Sequence, residues 1–189
     1  MSPILGIWAS GNSAILSATS FESIATVTVG SGGSSSVSFT SIPSTYTHLQ
    51  VRGIARTNRA TNFDYFKITA NSQTSGYSNH DLYGDGASAG VYGAGSQLRF
   101  EPSLIPGANQ TASTFNGFVM DILDYANTNK YKTFRFFGGT DTNGAGRVGL
   151  HSSYFAYTSA ISSITINPGE GSAFSQYSHF ALYGIKVAA

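Results

Sequence analysis

Apolar and polar residues alternate with a period of two through much of this chain, and short segments rich in Gly, Asn and Pro separate the alternating runs. In the run THLQVRGIAR, Leu49, Val51 and Ala55 share one face, while Gln50 and Arg52 share the other. This periodicity is typical of strands that have one buried face. No segment has a sustained 3.6-residue repeat long enough to predict a helix.

Short strands separated by glycine-rich turns indicate antiparallel sheets that pack face to face. We therefore predict an all-β fold, an antiparallel, jelly-roll-like β-sandwich of about ten strands with little or no helix. We expect residues 21–189 to form this single domain and residues 1–20 to form an N-terminal arm, whose anchoring role is implied by the resemblance given below. The alternating runs are ESIATVTVG, SVSFTSI, THLQVRGIAR, DYFKITA, NHDLYG, SQLRFE, FNGFVMDILD, KTFRFFGG, RVGLHSSYF, SSITIN and SHFALYGIK.

The charge composition argues against several classes of partner. Charged residues make up 10% of the 189 residues, and the formal net charge is +1. A surface with so little positive charge offers a weak electrostatic attraction to phosphates, so nucleic acid is not favoured as a partner. No apolar run approaches the roughly 18 residues that a membrane helix needs, so we expect no membrane association. A surface of few charges and many short polar side chains favours packing against neighbours, because little side-chain entropy is lost.

The motifs that carry chemistry are incomplete in this chain. GAGRVG has the glycine spacing of a dinucleotide site, but a strand-like run follows it where a helix is required. DTNGAG resembles the start of a calcium loop but lacks the closing glutamate. His80 and Asp81 are adjacent, so in a strand their side chains point to opposite faces. With no cysteine and no catalytic spacing, we expect no enzymatic activity, no metal and no cofactor.

Two predicted strands, FVMDIL and FRFF, are apolar on both faces. Such strands must be covered on both sides. One alternative is that loops or the N-terminal arm cover the second face. The other is that this face is a subunit interface, which the low charge of the chain favours. The candidate interface residues are Phe118, Met120, Phe134, Phe136 and Phe137.

The first residues, MSPILGIWASGNSAIL, form an apolar hook that contains the only Trp of the chain. The hook lacks the basic start and the longer apolar run of a signal peptide. The family resemblance given below implies a domain fastened to a larger scaffold, and on that ground we expect the hook to anchor the protein by filling a groove on a partner. The alternative is an edge strand of the chain's own sandwich. The candidate anchoring residues are Pro3, Ile4, Leu5, Ile7 and Trp8.

Tyrosines flank the glycine-rich segment YGDGASAGVYGAG. Aromatic rings beside Asp or Asn in loops at the rim of a sandwich are one way in which proteins hold sugars. The alternative is ordinary loop packing, with the tyrosine hydroxyls in water. The candidate residues of an outward-facing, glycan-contacting loop are Tyr77, Tyr83, Asp85 and Tyr92.

The segment SFESIATVTVGSGGSSSVSFTSIPSTYTHLQVRGIARTNRA resembles a family of small β-sandwich proteins encoded among the virion structural genes of tailed bacteriophages. The resemblance continues in the same order through DILDYANTNKYKT, DTNGAGRVGLHSS, AISSITINP and FALYGIK, and so spans about residues 20 to 187. The leader ILGIWASG is also similar to leaders of phage members. The segment GYSNHDLYGDGASAGVYGAGSQLRFEPSLIPGAN matches least well.

The resemblance implies a non-enzymatic virion component at the surface of a tailed phage particle, made in the host cytoplasm. We expect a homo-oligomer, with a trimer favoured, that contacts other virion proteins as a tail appendage or fibre component. One alternative is a capsid decoration, or cement, protein that stabilises the head shell. A second is a carbohydrate-binding adhesion module, whose partner would be a host-surface glycan.

Overall fold

The computed structural model describes residues 20–142, 144–171 and 173–187. Within these ranges the regular secondary structure consists of β-strands alone. The strands form two antiparallel sheets, which confirms the predicted all-β antiparallel sandwich. In chain order they are β1 (Phe21–Thr28), β2 (Val37–Phe39), β3 (His48–Ala55), β4 (Phe63–Ala70), β5 (Tyr77–Gly84), β6 (Ala89–Gln97), β7 (Ser103–Pro106), β8 (Asn116–Leu123), β9 (Lys132–Asp141), β10 (Gly146–Phe155), β11 (Ile164–Pro168) and β12 (His179–Ile185).

The strand order is that of a jelly roll with two inserted hairpins. The large sheet runs β1-β12-β3-β8-β9-β10-β5-β6, and the small sheet runs β2-β11-β4-β7. Without β5, β6, β9 and β10, the remaining strands are arranged first-eighth-third-sixth and second-seventh-fourth-fifth, which is the order of a jelly roll. The two hairpins pair through β10 and β5 and widen the large sheet beyond β8. We call β9, β10, β5 and β6 the extension.

Aromatic side chains hold the two sheets together. Phe66 of β4 projects from the small sheet, and its ring centroid lies 5.0 Å from that of Phe118 and 5.4 Å from that of Phe136. Phe174 closes the group at 6.1 Å from Phe66. Each of these rings is buried, and burying one apolar side chain of this size stabilises the fold by about 1.5–3 kcal/mol. The alternating faces predicted for β2, β3 and β4 are confirmed.

Two cationic side chains fix long loops of the sandwich. The ammonium group of Lys132 is fully buried and donates to the main-chain oxygens of Asn127, Lys130 and Thr158 at 2.5–3.0 Å. Burial lowers the pKa of Lys132, yet each of its protons has an acceptor. The guanidinium of Arg56 similarly holds one loop through the carbonyls of Ala108, Gln110, Thr111 and Thr114.

The sequence prediction misses β7 and most of β6. The predicted run SQLRFE overlaps β6 only at Ser96 and Gln97. β6 forms the outer edge of the large sheet and contains three glycines, and only Val91 and Tyr92 of its nine residues are of the β-branched and aromatic types typical of strands. β7 has only four residues and ends in Pro106.

Candidate functional site

The extension is apolar on both of its faces, and only one of them is covered by the described part of the chain. Within β9, Phe134 and Phe136 point toward the small sheet and are 0% exposed. Their neighbour Phe137 points to the opposite side and is 53% exposed. The alternation of the strand therefore directs one phenyl ring of this run into solvent.

Four exposed side chains of the outer face form one continuous row across the extension. Phe137 pairs with Leu150, Leu150 with Leu82, and Leu82 with Val91. Leu150 and Leu82 are each 54% exposed, and Val91 is 80% exposed. We call Phe137, Leu150, Leu82 and Val91 the outer apolar stripe. Directly opposed residues of neighbouring strands are close enough to touch, so the stripe is one connected surface.

Shallow grooves run along both sides of the stripe. The groove on one side has a volume of about 330 Å³. Its lining includes three members of the stripe, Phe137, Leu150 and Leu82, together with Gly84, Ala89 and Val148. It forms because glycine and alanine occupy much of the neighbouring row, where Gly139 pairs with Val148, Val148 with Gly84, and Gly84 with Ala89. The groove on the other side, of about 420 Å³, is bordered by polar side chains that include His80, Arg135 and Ser152.

The outer face of β3 and β8 is different, because its polar side chains are bonded to one another. Arg52 donates to Gln50 at 2.5 Å, and Gln50 donates to Asp121 at 2.7 Å. Arg135 of β9 donates to the second carboxylate oxygen of Asp121 at 3.1 Å. The guanidinium of Arg52 also lies 5.0 Å from the ring of Phe21. We call Arg52, Gln50, Asp121 and Arg135 the polar network.

Under the extension, the inner face contains a pair of ionisable groups that the sequence did not suggest. His151 Nδ1 lies 2.9 Å from Asp81 Oδ1, with the imidazole fully buried, although the two atoms are not aligned for a hydrogen bond. A Cβ added at Gly149 would come within 2.7 Å of both His151 Nε2 and Leu104 Cδ1, so the imidazole faces packed protein. The pair joins β5 to β10, and sequence could not show this because the two residues are far apart in the chain.

The predicted subunit interface is corrected by these positions. Phe118, Met120, Phe134 and Phe136 point into the sandwich and form part of the chain's own core. They cannot contact a neighbouring copy while the sheets remain packed together. Phe137 alone of the five lies on the outer surface, where it belongs to the stripe.

The predicted outward-facing loop is also corrected, because Tyr77, Tyr83 and Tyr92 lie on the hairpin strands β5 and β6. Tyr77 is buried, its hydroxyl accepts a hydrogen bond from the Ala70 N–H at 2.8 Å, and burial raises its pKa to about 12. It is a core residue and no contact for a glycan. Tyr83 and Tyr92 remain near the surface, on the same face of the sheet as Tyr77.

Asp85 is the one predicted loop residue that lies in a turn. Its carboxylate accepts hydrogen bonds from the N–H groups of Ala87 and Ser88 at 3.0 and 2.8 Å. These bonds from the main chain hold the pKa of Asp85 below its usual value. The carboxylate therefore shapes the β5–β6 turn.

The predicted anchoring residues Pro3, Ile4, Leu5, Ile7 and Trp8 lie outside the described residues. The described chain begins at Ser20, directly before β1 at one edge of the large sheet.

Within residues 20–142, 144–171 and 173–187, no group of three or more His, Asp or Glu side chains is placed to hold a metal ion. The same residues include no helix that is long and apolar enough to cross a membrane.

Comparison of the chain with family models, with curated proteins and with solved structures finds no match.

Proposed function

We propose that this chain is a non-enzymatic structural protein of a tailed bacteriophage virion, a homo-oligomeric jelly-roll module of a tail appendage or fibre. It would be made in the host cytoplasm and reside at the particle surface, fastened by its N-terminal arm to other virion proteins. The observation that carries the proposal is the outer apolar stripe. The sequence resemblance described above supplies the virion setting.

The stripe supports a role in assembly because a folded domain gains nothing from exposing such a row. Contiguous apolar patches on soluble domains mark sites of association. The core of a protein interface is depleted in charge and enriched in aromatic and aliphatic groups. Phe137, Leu150, Leu82 and Val91 have that composition and contain no charge.

The buried pair beneath the extension does not support catalysis. A histidine that serves as a base must reach the substrate or a nucleophile with one nitrogen while a carboxylate orients the other. The imidazole of His151 is fully buried, and its Nε2 has no hydrogen-bond partner. The arrangement therefore favours a packing role for His151 and Asp81.

The proposal is tested first by the association state of the purified protein. We expect sedimentation velocity to give a defined oligomer, with a trimer favoured, and Leu82→Ser/Leu150→Ser to shift it toward monomer. Ile54→Ser is the matched control, because Ile54 is exposed on the same sheet face but lies outside the stripe. A wild-type protein that stays monomeric at every concentration would contradict the proposal.

The copy number in purified virions distinguishes an appendage from a decoration protein. Quantitative gel analysis should find roughly a few dozen copies at most for an appendage, and on the order of hundreds for a protein that cements the head shell. A particle without the protein would refute both assignments.

A carbohydrate-binding adhesion module is the second candidate, and one observation favours it. A hollow of about 610 Å³ lies between the β5–β6 and β9–β10 turns, and Asp85, Asp141, Thr140 and Arg147 contribute polar groups to its lining. Polar side chains in a concave site are typical of ligand recognition. Binding of the recombinant protein to a glycan array, lost in Arg147→Ala, would support this function, and an array without binding would end it.

A further inference from the structure

The outer apolar stripe lacks a cover in the described part of the chain, and its geometry suits a narrow occupant. The stripe is one row of side chains with a groove on each side, of about 330 and 420 Å³. A flat partner would rest on the row and leave both grooves empty. An extended segment with alternating large side chains would place them in the grooves, as in other docked peptides.

The chain itself contains a segment of matching chemistry. Residues 1–19 include no charged side chain, and Ile4, Leu5, Ile7 and Trp8 are closely spaced within them. Docking an uncharged segment on an uncharged stripe carries no cost of desolvating a charge. An indole ring buries a large apolar area in a groove, and Trp is enriched among residues that dominate binding.

The position of the leader favours the stripe of a neighbouring copy. Ser20 precedes β1, and the stripe ends on β6, at the opposite edge of the same sheet. With strands about 4.8 Å apart, β6 lies roughly 34 Å from β1 within one copy. Residues 9–19 can span at most about 40 Å. In its own copy the leader would reach Leu150 and Leu82, roughly 24–29 Å from β1, only by running extended across the polar network on β3 and β8.

A neighbour changes this distance. When the β6 edge of a second copy lies beside the β1 edge of the first, the neighbour's Val91 is only about 5–10 Å from β1. The leader then reaches the whole stripe without crossing the polar network on β3 and β8. The contact is head to tail, because it joins different edges of the two copies, and such contacts form a closed ring when the rotation between copies closes.

We propose that residues 4–8 of one copy dock on the outer apolar stripe of a neighbouring copy, with Trp8 in a groove beside Leu82 and Leu150. The inference rests on the proposed function, since only a protein that assembles presents a neighbouring copy in this way. It assigns one occupant to the stripe and one docking site to the leader.

The unique Trp8 reports the contact by its fluorescence. In the full-length wild type we expect emission at short wavelength and protection from a soluble quencher. Leu82→Asp/Leu150→Asp should move the emission to longer wavelength and raise quenching, and it should weaken self-association at least about tenfold. Ile54→Asp, on the same sheet face, should leave the emission wavelength, the quenching and the self-association unchanged. If the double aspartate variant does not fold, Leu82→Ser/Leu150→Ser replaces it.

A mixing experiment separates a neighbour's stripe from the chain's own. The stripe variant supplies an intact leader, and full-length Ile7→Ser/Trp8→Ala supplies an intact stripe but no Trp. On mixing, we expect Trp8 emission to return to short wavelength and a mixed oligomer to appear. Trp8 that is shielded in an isolated monomer, with no transfer on mixing, would place the leader on its own chain and overturn the proposal.

The remaining outcomes distinguish this inference from the proposed function. If the stripe variant loses self-association while Trp8 emission never responds, the leader does not occupy the stripe, and the assembly role stands. If the wild type is monomeric and neither variant changes any signal, both proposals fail.

Discussion

The two halves of the large sheet's outer face have the same backbone pairing and different side-chain chemistry. Over β3 and β8, Arg52, Gln50 and Asp121 satisfy one another. Over the extension, the stripe presents phenyl, leucyl and valyl groups that the described residues leave exposed. The difference teaches that the polar side chains of the first surface bond to one another within one chain, whereas the second surface is left without a cover by the described residues.

The largest effect should come from neighbouring phenylalanines on opposite faces of β9. Phe136→Ala leaves a cavity between the sheets and should lower the free energy of unfolding by about 3–5 kcal/mol. Phe137→Ala removes the same group from the exposed face and should cost less than about 1 kcal/mol. Urea unfolding monitored by circular dichroism measures both. Equal losses would mean that the outer face of the extension is also part of the core.

A second prediction concerns the inner face of the extension at alkaline pH. Burial raises the pKa of Tyr77 to about 12 from its ordinary value of about 10, so the folded state favours the neutral phenol. That stability is fully present below pH 10 and is lost as the pH rises through 12. Between pH 9 and 11.5 the wild type should lose about 2 kcal/mol more than Tyr77→Phe, by urea titration.

The control for this comparison is Tyr92→Phe, on the exposed part of β6. It should lose as much stability at high pH as the wild type does. If Tyr77→Phe also follows the wild type, the phenol of Tyr77 ionises without cost and water reaches the inner face. At pH 8, Tyr77→Phe should be about 1 kcal/mol less stable, because the Ala70 N–H loses its acceptor.

A third, smaller effect is expected in the polar network. Asp121→Asn removes the charge that Arg135 contacts and weakens the bond from Gln50. Because Arg135 is well exposed, solvent screens this pair, and we expect a loss of about 0.5–1 kcal/mol. The loss should shrink in 1 M salt, where the screening length is about 3 Å. A loss of the same size at all salt concentrations would assign it to packing.

The smallest effect on folding should come from the stripe itself. Leu82→Ser should change the free energy of unfolding of the isolated chain by no more than about 0.5 kcal/mol, because its side chain is already half in water. The measurement is urea unfolding at a concentration where the protein is monomeric. A loss of 2 kcal/mol or more would show that the stripe is covered within one chain.

The fold could be predicted because alternation in single strands is a local signal. The inward faces of β2, β3 and β4 follow from the sequence pattern alone. The pattern of FRFF also shows that Phe137 lies on the face opposite to that of Phe134 and Phe136, although it does not show which face is the outer one. Whether Phe118 and Met120 meet a second sheet or a second subunit could not be predicted, because both partners bury the same side chains. The strand order decides whether these side chains face a second sheet of the same chain. Strand order depends on pairings between distant segments, which the local pattern does not show.

The stripe could not be predicted for the same reason. Leu82, Val91 and Leu150 belong to three strands, and each alone is an ordinary exposed apolar residue. Only the register of β10 on β5 and of β5 on β6 aligns them. Because β6 is rich in glycine, the sequence pattern does not predict this strand, which completes the row. The contact between Asp81 and His151 likewise depends on the register of β10 on β5.

The burial of Lys132 also affects how the fold responds to the salt concentration of its surroundings. The charge of Lys132 is met by three main-chain carbonyl oxygens and is shut away from solvent. Dissolved ions compete poorly for a cation held in this manner. The sandwich should therefore keep its loops in place in seawater as firmly as in a dilute buffer.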